Sequence, residues 1–261
     1  LDKLIGEKGT LAEFVVLRDG EEIEFSIVRE KVTAVSVMGR VCETDSKVGI
    51  VRITEFDLVT PKQFTKAVDE LVSKGCDKFV FDVRNNPGGD LQSIKAVMTY
   101  FLQEGDLILS AIDRNGRVGN SYYAEEMKLA GEYASCNVSR EEIGMYADLD
   151  MVVLCNGNTA SAAEVFTATL RDYSLAKIVG ETTFGKGIIQ SIISLEPWGY
   201  KGAVKLTTGR YDPPVSGNYD GKGIEPQVPA VLTGEAASKN LFLLSESEDA
   251  QLLAAITEVK K

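Results

Sequence analysis

The stretch KFVFDVRNNPGGDLQSIKAVMTYF, residues 78–101, contains a complete strand–turn–helix unit and decides the fold class. Its first part, KFVFDV (78–83), is a short apolar run typical of a buried strand, and the glycine turn RNNPGGD follows it. After the turn, apolar residues recur at helical spacing, at positions 91, 94, 97, 98 and 101. A buried strand followed by an amphipathic helix is the repeating unit of a parallel α/β sheet.

The same alternation precedes this unit. VGIVRI (48–53) predicts a buried strand, and Thr60-Pro61-Lys62-Gln63 predicts the start of a helix. In that start Thr60 is the expected N-cap, Pro61 the first helical residue and Gln63 the partner that completes a capping box. Gly75 ends the helix.

The alternation also continues towards the C-terminus. LILSAI (107–112) and MVVLC (151–155) predict further buried strands, and a helix from about 160 to 172 follows the second. The sequence therefore predicts an α/β fold, with βα units around a largely parallel sheet.

The flanking segments differ in character. Residues 11–29 alternate around Asp19-Gly20 and predict a hairpin, whereas residues 113–148 are polar and read as an inserted loop or surface segment. The tail SEDAQLLAAITEVKK predicts a surface helix whose apolar face is Leu252, Leu253 and Ile256. The start, LDKLIGEKGT, reads as the middle of a domain, so we expect a further segment upstream.

Composition excludes several classes of function. The 261 residues carry a net charge of −11, which disfavours a nucleic-acid partner, and no apolar run reaches the ~18 residues of a membrane span. There is no histidine, which excludes Ser-His-Asp and Cys-His centres and the H-E-x-x-H zinc site. The four cysteines form no C-x-x-C pair, and Cys76 and Cys155 read as small buried residues. We expect neither a metal nor a cofactor.

GETTFGKG (180–187) satisfies seven of the eight positions of the phosphate-binding pattern G-x-x-x-x-G-K-[ST]. Its last position is Gly187, which cannot hold Mg²⁺, and IIQSIISL after it predicts a strand where a phosphate loop needs a helix. A phosphate-binding function therefore ranks last, and Lys186 needs another role.

Ser161 lies in CNGNTASAAEVF (155–166), where a buried strand ends and a helix begins. Such a turn can present a nucleophilic serine near the positive end of a helix. Ser161 and Glu164 also fit a capping box, which local sequence alone favours, although Thr159 is an alternative cap. Without histidine, a serine nucleophile needs a lysine base, and this requirement favours catalysis by Ser161.

Lys186 is the lysine that fits, because it lies in a glycine-flanked turn near this helix start. A lysine accepts a proton at neutral pH only when its pKa falls well below ~10.4. Phe184, Ile188 and Ile189 are the expected apolar surround, and Gln190 is placed to orient the amine. An outward-facing strand residue is the other reading of Gln190.

The turn Asn85-Asn86-Pro87-Gly88-Gly89 is the third element of the candidate site. At the carboxyl end of a buried strand, it exposes backbone N–H groups that, with the N–H of Ala162, fit an oxyanion hole. A plain connecting turn is the alternative, but it does not require two consecutive glycines. Asp82 and Arg84 read as a structural ion pair.

Five segments, FDVRNNPGGDLQS, NGNTASAAEVFTATLRD, VGETTFGKGIIQ, LTTGRY and GKGIEPQV, resemble the C-terminal processing (tail-specific) serine peptidases over residues 30–230. The resemblance implies a crotonase/Clp-protease-like α/β core and a Ser–Lys centre. It assigns Ser161 as nucleophile, Lys186 as base and Gln190 as its orienting partner. It also implies an oxyanion hole formed by the N–H groups of Gly88, Gly89 and Ala162.

The resemblance further implies a domain organisation. Residues 1–30 are similar to the end of a PDZ domain, residues 31–232 form the peptidase core with the polar insertion at 113–148, and residues 233–261 form the tail. The carboxylate-binding loop of a complete PDZ domain is not in this sequence, so capture of a substrate C-terminus is in question.

The expected partners are protein or peptide substrates cleaved at or near their C-termini, in an extracytoplasmic bacterial setting. A homo-oligomer and a membrane tether outside this sequence stay open. Two alternatives to the peptidase also stay open: an idle peptide-binding scaffold and a crotonase-type acyl-transfer enzyme.

Overall fold

The computed structural model describes residues 4–32 and 34–261, and the chain divides into two units, Leu1–Ala34 and Val35–Lys261. The first unit contains an antiparallel hairpin of strands β1 (Leu11–Arg18) and β2 (Glu21–Val28). Asp19 and Gly20 join them with φ values of 54° and 86°, as a tight two-residue hairpin turn requires. This confirms the predicted hairpin, and its assignment to a PDZ domain stays a prediction.

The second unit combines strands and helices. In chain order its strands are β3 (Val37–Val41), β4 (Val48–Ile53), β5 (Lys78–Asp82), β6 (Leu107–Ile112), β7 (Val118–Tyr123), β8 (Asp150–Cys155), β9 (Ala176–Gly180), β10 (Ile188–Ser194), β11 (Ala203–Asp212) and β12 (Val228–Pro229). Its α-helices are α1 (Thr60–Ser73), α2 (Leu91–Thr99), α3 (Ala162–Asp172) and α4 (Ala250–Val259). Within the two described stretches, none of the helices has the length and apolarity needed to cross a bilayer.

The main sheet has six strands in the order β12-β9-β8-β5-β4-β3, parallel except for the antiparallel edge strand β3. Alternate residues of β5 belong to two different hydrophobic cores, one on each face of the sheet, because successive side chains of a strand point to opposite faces. Phe79 and Phe81 pack with α1, α2 and α3, whereas Val80 packs with α4. The predicted α/β class and largely parallel sheet are confirmed.

A second sheet, of order β10-β11-β6-β7, is antiparallel throughout. LILSAI was expected in the parallel sheet and is a strand, β6, but it belongs to this second sheet. An apolar run predicts a buried strand without specifying its partners, which explains the error.

The expectation of a loop or surface segment over residues 113–148 is wrong in part. The segment supplies strand β7, and it buries Met127, Cys136 and Val138 in the core beneath α1 and α2. The segment is polar on average, and its few apolar residues have no regular spacing. Prediction of buried elements from a sequence pattern requires regular spacing.

The predicted start of helix α1 is wrong in detail. Thr60 is the first helical residue and Val59 the N-cap, and Asp57 Oδ1 accepts the N–H groups of Val59 and Thr60 at 3.1 and 3.0 Å. The Gln63 side chain makes no capping box. Its Oε1 accepts the N–H groups of Ser36 and Val37 at 2.9 and 3.1 Å, because buried backbone donors distant in sequence need an acceptor there.

The tail forms the predicted helix, α4, with a corrected apolar face. Leu252 and Ile256 are buried against the main sheet, but Leu253 is 37% exposed and Ala255 and Val259 take its place. Adjacent helical residues are about 100° apart, so Leu252 and Leu253 cannot both face the sheet.

A buried ionic network joins strand β5 to the start of α4. Asp82 accepts hydrogen bonds from Arg52 and Arg84, and Arg84 also donates to both carboxylate oxygens of Asp249 at 2.8 and 2.7 Å. The predicted Asp82–Arg84 ion pair is confirmed. Burial alone raises the pKa of Asp82, but the two guanidinium groups outweigh it and hold the pKa at about 2.

We expect this network to make stability depend on acid pH. A carboxylate whose pKa falls from 3.8 to about 2 on folding contributes about 2 kcal/mol above pH 4, and this contribution disappears as the pH falls to 2. Asp82→Asn should cost about 3 kcal/mol at pH 7, because it leaves buried arginines underpaired. The difference from wild type should shrink below pH 3 in urea unfolding. A pH-independent difference would contradict this origin, and Asp77→Asn, at an exposed carboxylate, is the control.

Candidate active site

Ser161 lies in the turn between strand β8 and helix α3, immediately before the first helical residue, Ala162. Its φ of 56° and ψ of −119° form a conformation that residues other than glycine rarely adopt. Backbone strain of this kind concentrates at functional sites, and a sharp strand-to-helix turn can expose a nucleophilic serine. The side chain is half-buried, next to the positive end of α3.

The glycine turn after strand β5 packs directly on Ser161. A Cβ on Gly88, whose φ is 102°, would lie 2.7 Å from Ser161 Cβ and 2.8 Å from the nitrogen of Ala162. A Cβ on Gly89, whose φ is 148°, would lie 2.1 Å from the carbonyl oxygen of Phe56. Close approach of two other segments therefore requires both glycines.

The N–H groups of this turn have different roles. The N–H of Gly88 donates to Asn86 Oδ1 at 2.8 Å, and Asn86 Nδ2 donates to the carbonyl of Ile53 at 2.9 Å. Within residues 4–32 and 34–261, the N–H groups of Gly89 and Ala162 have no acceptor. Of the three predicted oxyanion donors, these two are the ones left for a ligand.

Asparagine side chains hold the glycine turn against the serine turn. Asn85 and Asn156 exchange hydrogen bonds of 3.0 and 2.8 Å, and Asn158 Nδ2 donates to Asn85 Oδ1 at 3.0 Å. The N–H of Ala160 donates to the carbonyl of Asn86 at 2.9 Å. This network was not predicted from the sequence, where the clustering of asparagine in both turns is its one signal.

Glu164 connects the serine turn to the lysine loop. Its buried carboxylate accepts the N–H of Ser161 at 2.9 Å and the N–H of Lys186 at 2.8 Å through Oε2. Oε1 accepts the hydroxyl of Thr183 at 2.6 Å and the N–H of Gly185 at 2.7 Å. The predicted capping box therefore accounts for only one of these four hydrogen bonds, the one from the N–H of Ser161.

The glycines beside Lys186 allow close approach of the segment 218–223. A Cβ on Gly187 would lie 2.7 Å from the nitrogen of Asp220, and one on Gly185 would lie 2.8 Å from that of Gly223. The N–H of Gly221 donates to the carbonyl of Gly185 at 2.9 Å. Strand β10 begins at Ile188, as predicted, and no helix follows the glycine loop as a phosphate site would require.

The side chains of the predicted dyad are not joined by a hydrogen bond. In the described part of the chain, Lys186 is half-buried and its Nζ has neither a hydrogen bond nor an ion pair with protein. Gln190 is exposed on strand β10, beside an irregularity in the pairing with β11, and does not bond to Lys186. Phe184 is 63% exposed, so the expected apolar surround is incomplete. The structure thus joins the backbones of Ser161 and Lys186 to one carboxylate oxygen of Glu164, whereas their side chains share no hydrogen bond.

Cys155, at the end of strand β8, does not compete with Ser161 as a nucleophile. The thiol is fully buried, and its burial, with a smaller effect from the Asp82 carboxylate, raises its pKa to about 12. It therefore stays a neutral thiol at physiological pH. Cys76 is buried as well, so both cysteines are the small buried residues that were expected.

Comparison with known proteins shows the class to which this chain belongs. The model of peptidase family S41 matches residues 47–230, which is well over half of the chain. The chain therefore belongs to peptidase family S41.

Among similar proteins, the carboxy-terminal processing protease CtpA of Bacillus subtilis (strain 168) is 32% identical over 228 residues, which are 87% of this chain and 44% of the relative. A photosystem II D1 C-terminal processing protease has a similar structure, with a TM-score of 0.60, 27% identity, and coverage of 86% of this chain and 56% of that one. An S41 protease of Bacteroides fragilis shares the fold, with a TM-score of 0.66 at 18% identity over 96% of this chain and 65% of its own. The chain thus spans less than half the length of the Bacillus relative.

Proposed function

We propose that this chain is the catalytic part of a serine endopeptidase in which Ser161 is the nucleophile and Lys186 the general base. The observation that carries the proposal is the Glu164 carboxylate, which accepts the backbone N–H groups of both residues through one oxygen atom. A single buried group thereby brings together two residues that are 25 positions apart and whose side chains supply the chemistry of a serine–lysine pair.

The reaction proceeds through an acyl-enzyme. Neutral Lys186 takes the proton of the Ser161 hydroxyl as Oγ bonds to the carbonyl carbon of the scissile peptide. The oxyanion that forms accepts hydrogen bonds from the N–H groups of Gly89 and Ala162. When the C–N bond breaks, the lysine ammonium returns the proton to the leaving amine, and water then hydrolyses the ester by the same steps.

The remaining predicted site residues have supporting parts in this proposal. Gln190 orients the lysine amine once the side chains close together in the substrate complex, because catalytic hydrogen bonds tighten there. Gly88 contributes through its missing side chain, which lets the glycine turn contact Ser161.

The proposed substrates are proteins or peptides that are processed near their C-termini. The names of the two similar C-terminal processing proteases support this proposal. We also propose an extracytoplasmic location, on the basis of the resemblance to this family. A homo-oligomer and a membrane tether remain predictions, and none of the features of this site requires either one.

Two other functions are weaker. A peptide-binding scaffold does not need the strained backbone of Ser161, nor a lysine whose amine has no partner among the described residues. A crotonase-type acyl-transfer enzyme needs the oxyanion hole but neither Ser161 nor Lys186.

Labelling with an alkyl fluorophosphonate tests the proposal. An activated Ser161 Oγ should displace fluoride at phosphorus, and mass spectrometry should find the adduct on the peptide that contains Ser161. Ser174→Ala is the matched control, since Ser174 also has a positive φ, of 58°, but lies outside the site. The control should label like wild type and Ser161→Ala should not label. An adduct on another residue, or none, would exclude Ser161 as the nucleophile.

A further inference from the structure

We infer that Asn218 is a positioning residue for Lys186, acting through the peptide groups of Gly187; the inference rests on the proposed function. The Lys186 amine has no hydrogen bond or ion pair within the described residues, so its position depends on the backbone that carries it. The contacts of that backbone show which groups hold it.

One side of the Lys186 loop is held by Glu164. Its carboxylate accepts the N–H groups of Gly185 and Lys186 at 2.7 and 2.8 Å. These bonds fix the peptide groups before the lysine but none after it.

The segment that begins at Asn218 holds the other side. Asn218 Nδ2 donates to the carbonyl of Gly187 at 2.9 Å and also to the carbonyl of Tyr211 on strand β11. Asp220 Oδ1 accepts the N–H of Gly187 at 3.2 Å, and Asn218 Oδ1 accepts the N–H of Asp220 at 3.0 Å. The Asn218 amide therefore links the lysine loop, its own segment and the sheet, next to a direct bond from the N–H of Tyr211 to the carbonyl of Gly187 at 2.9 Å.

The close packing around Gly187 makes this link specific. The position of a Cβ on Gly187 lies 2.9 Å from Asn218 Nδ2 and 2.7 Å from the nitrogen of Asp220. The two segments therefore touch along their backbones, and a small displacement of one must move the other. Because the Lys186 Cα adjoins the Gly187 peptide, such a displacement moves the general base relative to Ser161.

Asn218→Asp tests this role with almost no change in shape. The substitution replaces the amide donor by a carboxylate oxygen that faces the carbonyl oxygens of Gly187 and Tyr211, so two hydrogen bonds become repulsive contacts. We expect kcat on quenched fluorescent casein to fall about 100-fold, the usual cost of a displacement near 1 Å at a catalytic group, with KM changed less than about threefold.

Asn137→Asp is the matched control. Asn137 Nδ2 also donates to a carbonyl, that of Leu129, at 3.2 Å, and its Oδ1 accepts the N–H of the same residue. It contacts none of the site residues, so the control should lower the unfolding temperature comparably and leave kcat unchanged. Should Asn218→Asp fail to fold, Asn218→Ala removes the donor without adding repulsion and should lower kcat about tenfold.

A double variant distinguishes action through the lysine from a general structural effect. In a Lys186→Ala background, Asn218→Asp should not lower the rate of Ser161 labelling further, because the group that it positions is already gone. A further loss of the same size would contradict positioning of Lys186. If wild type hydrolyses casein and Asn218→Asp keeps its kcat, the inference alone is wrong. If wild type shows neither hydrolysis nor labelling, the proposed function is wrong, and the inference with it.

Discussion

Replacing Ser161 with alanine is expected to abolish peptide hydrolysis while the protein stays folded. The change removes only Oγ, the atom that bonds to the substrate, and loss of a nucleophile costs on the order of 10⁴-fold or more in kcat. Ser161 precedes helix α3, so loss of its hydroxyl should cost no more than about 2 kcal/mol of unfolding free energy. Hydrolysis of casein and urea unfolding, measured on the same preparation, separate the two effects.

A control for this result comes from the same turn. Thr159 is buried and its hydroxyl donates to the carbonyl of Val83 at 2.9 Å, so it supports the glycine turn rather than capping α3. Thr159→Val should therefore lower stability more than Ser161→Ala does and retain measurable hydrolysis. Hydrolysis by Ser161→Ala at the wild-type rate would end the claim that Ser161 is the nucleophile.

The sequence was sufficient where a local pattern had a single structural meaning. Apolar runs predicted strands β4, β5 and β8 of the main sheet, amphipathic patterns predicted helices α1, α2 and α3, and the β-branched run after Gly187 predicted strand β10. The missing histidine limited the choice of a base and directed attention to Lys186. Each of these inferences depends on residues close together in the chain or on composition.

Features that depend on distant partners could not be predicted. The local sequence around Gln63 fits a capping box. Its actual donors, the N–H groups of Ser36 and Val37, are too distant in sequence for a local pattern to indicate them. Glu164 likewise looked like a cap until the lysine loop supplied three further donors. Buried donors and acceptors must be paired, but the sequence does not specify with which partner.

The glycines of the lysine loop show the same limit. Gly185 fitted a phosphate pattern that Gly187 breaks, and only the segment 218–223 packed against both glycines shows why no side chain fits there. In the sequence, two features spoke against a phosphate site: Gly187 at the last position of the pattern and the strand that follows. The motif therefore located an unusual backbone without specifying what that backbone does.

Replacing Lys186 with methionine is expected to have the second large effect. Methionine keeps most of the length and apolar volume of the side chain and loses only the amine. Acylation of Ser161 then has no base, and kcat should fall about 10³-fold or more while KM stays close to wild type. Because backbone groups hold the loop through Glu164 and the segment 218–223, the substitution should leave the unfolding temperature unchanged.

The chain contains its own matched control in a second Gly-Lys-Gly sequence. Lys222 lies between Gly221 and Gly223 in the segment that packs against the Lys186 loop, and it is exposed. Lys222→Met removes the same positive charge from a lysine that also lies between two glycines, so this variant should hydrolyse casein like wild type. Equal losses in the two variants would indicate a charge or loop effect instead of a base. A loss confined to Lys222→Met would place the base in the neighbouring segment, and only a loss confined to Lys186→Met assigns proton transfer to Lys186.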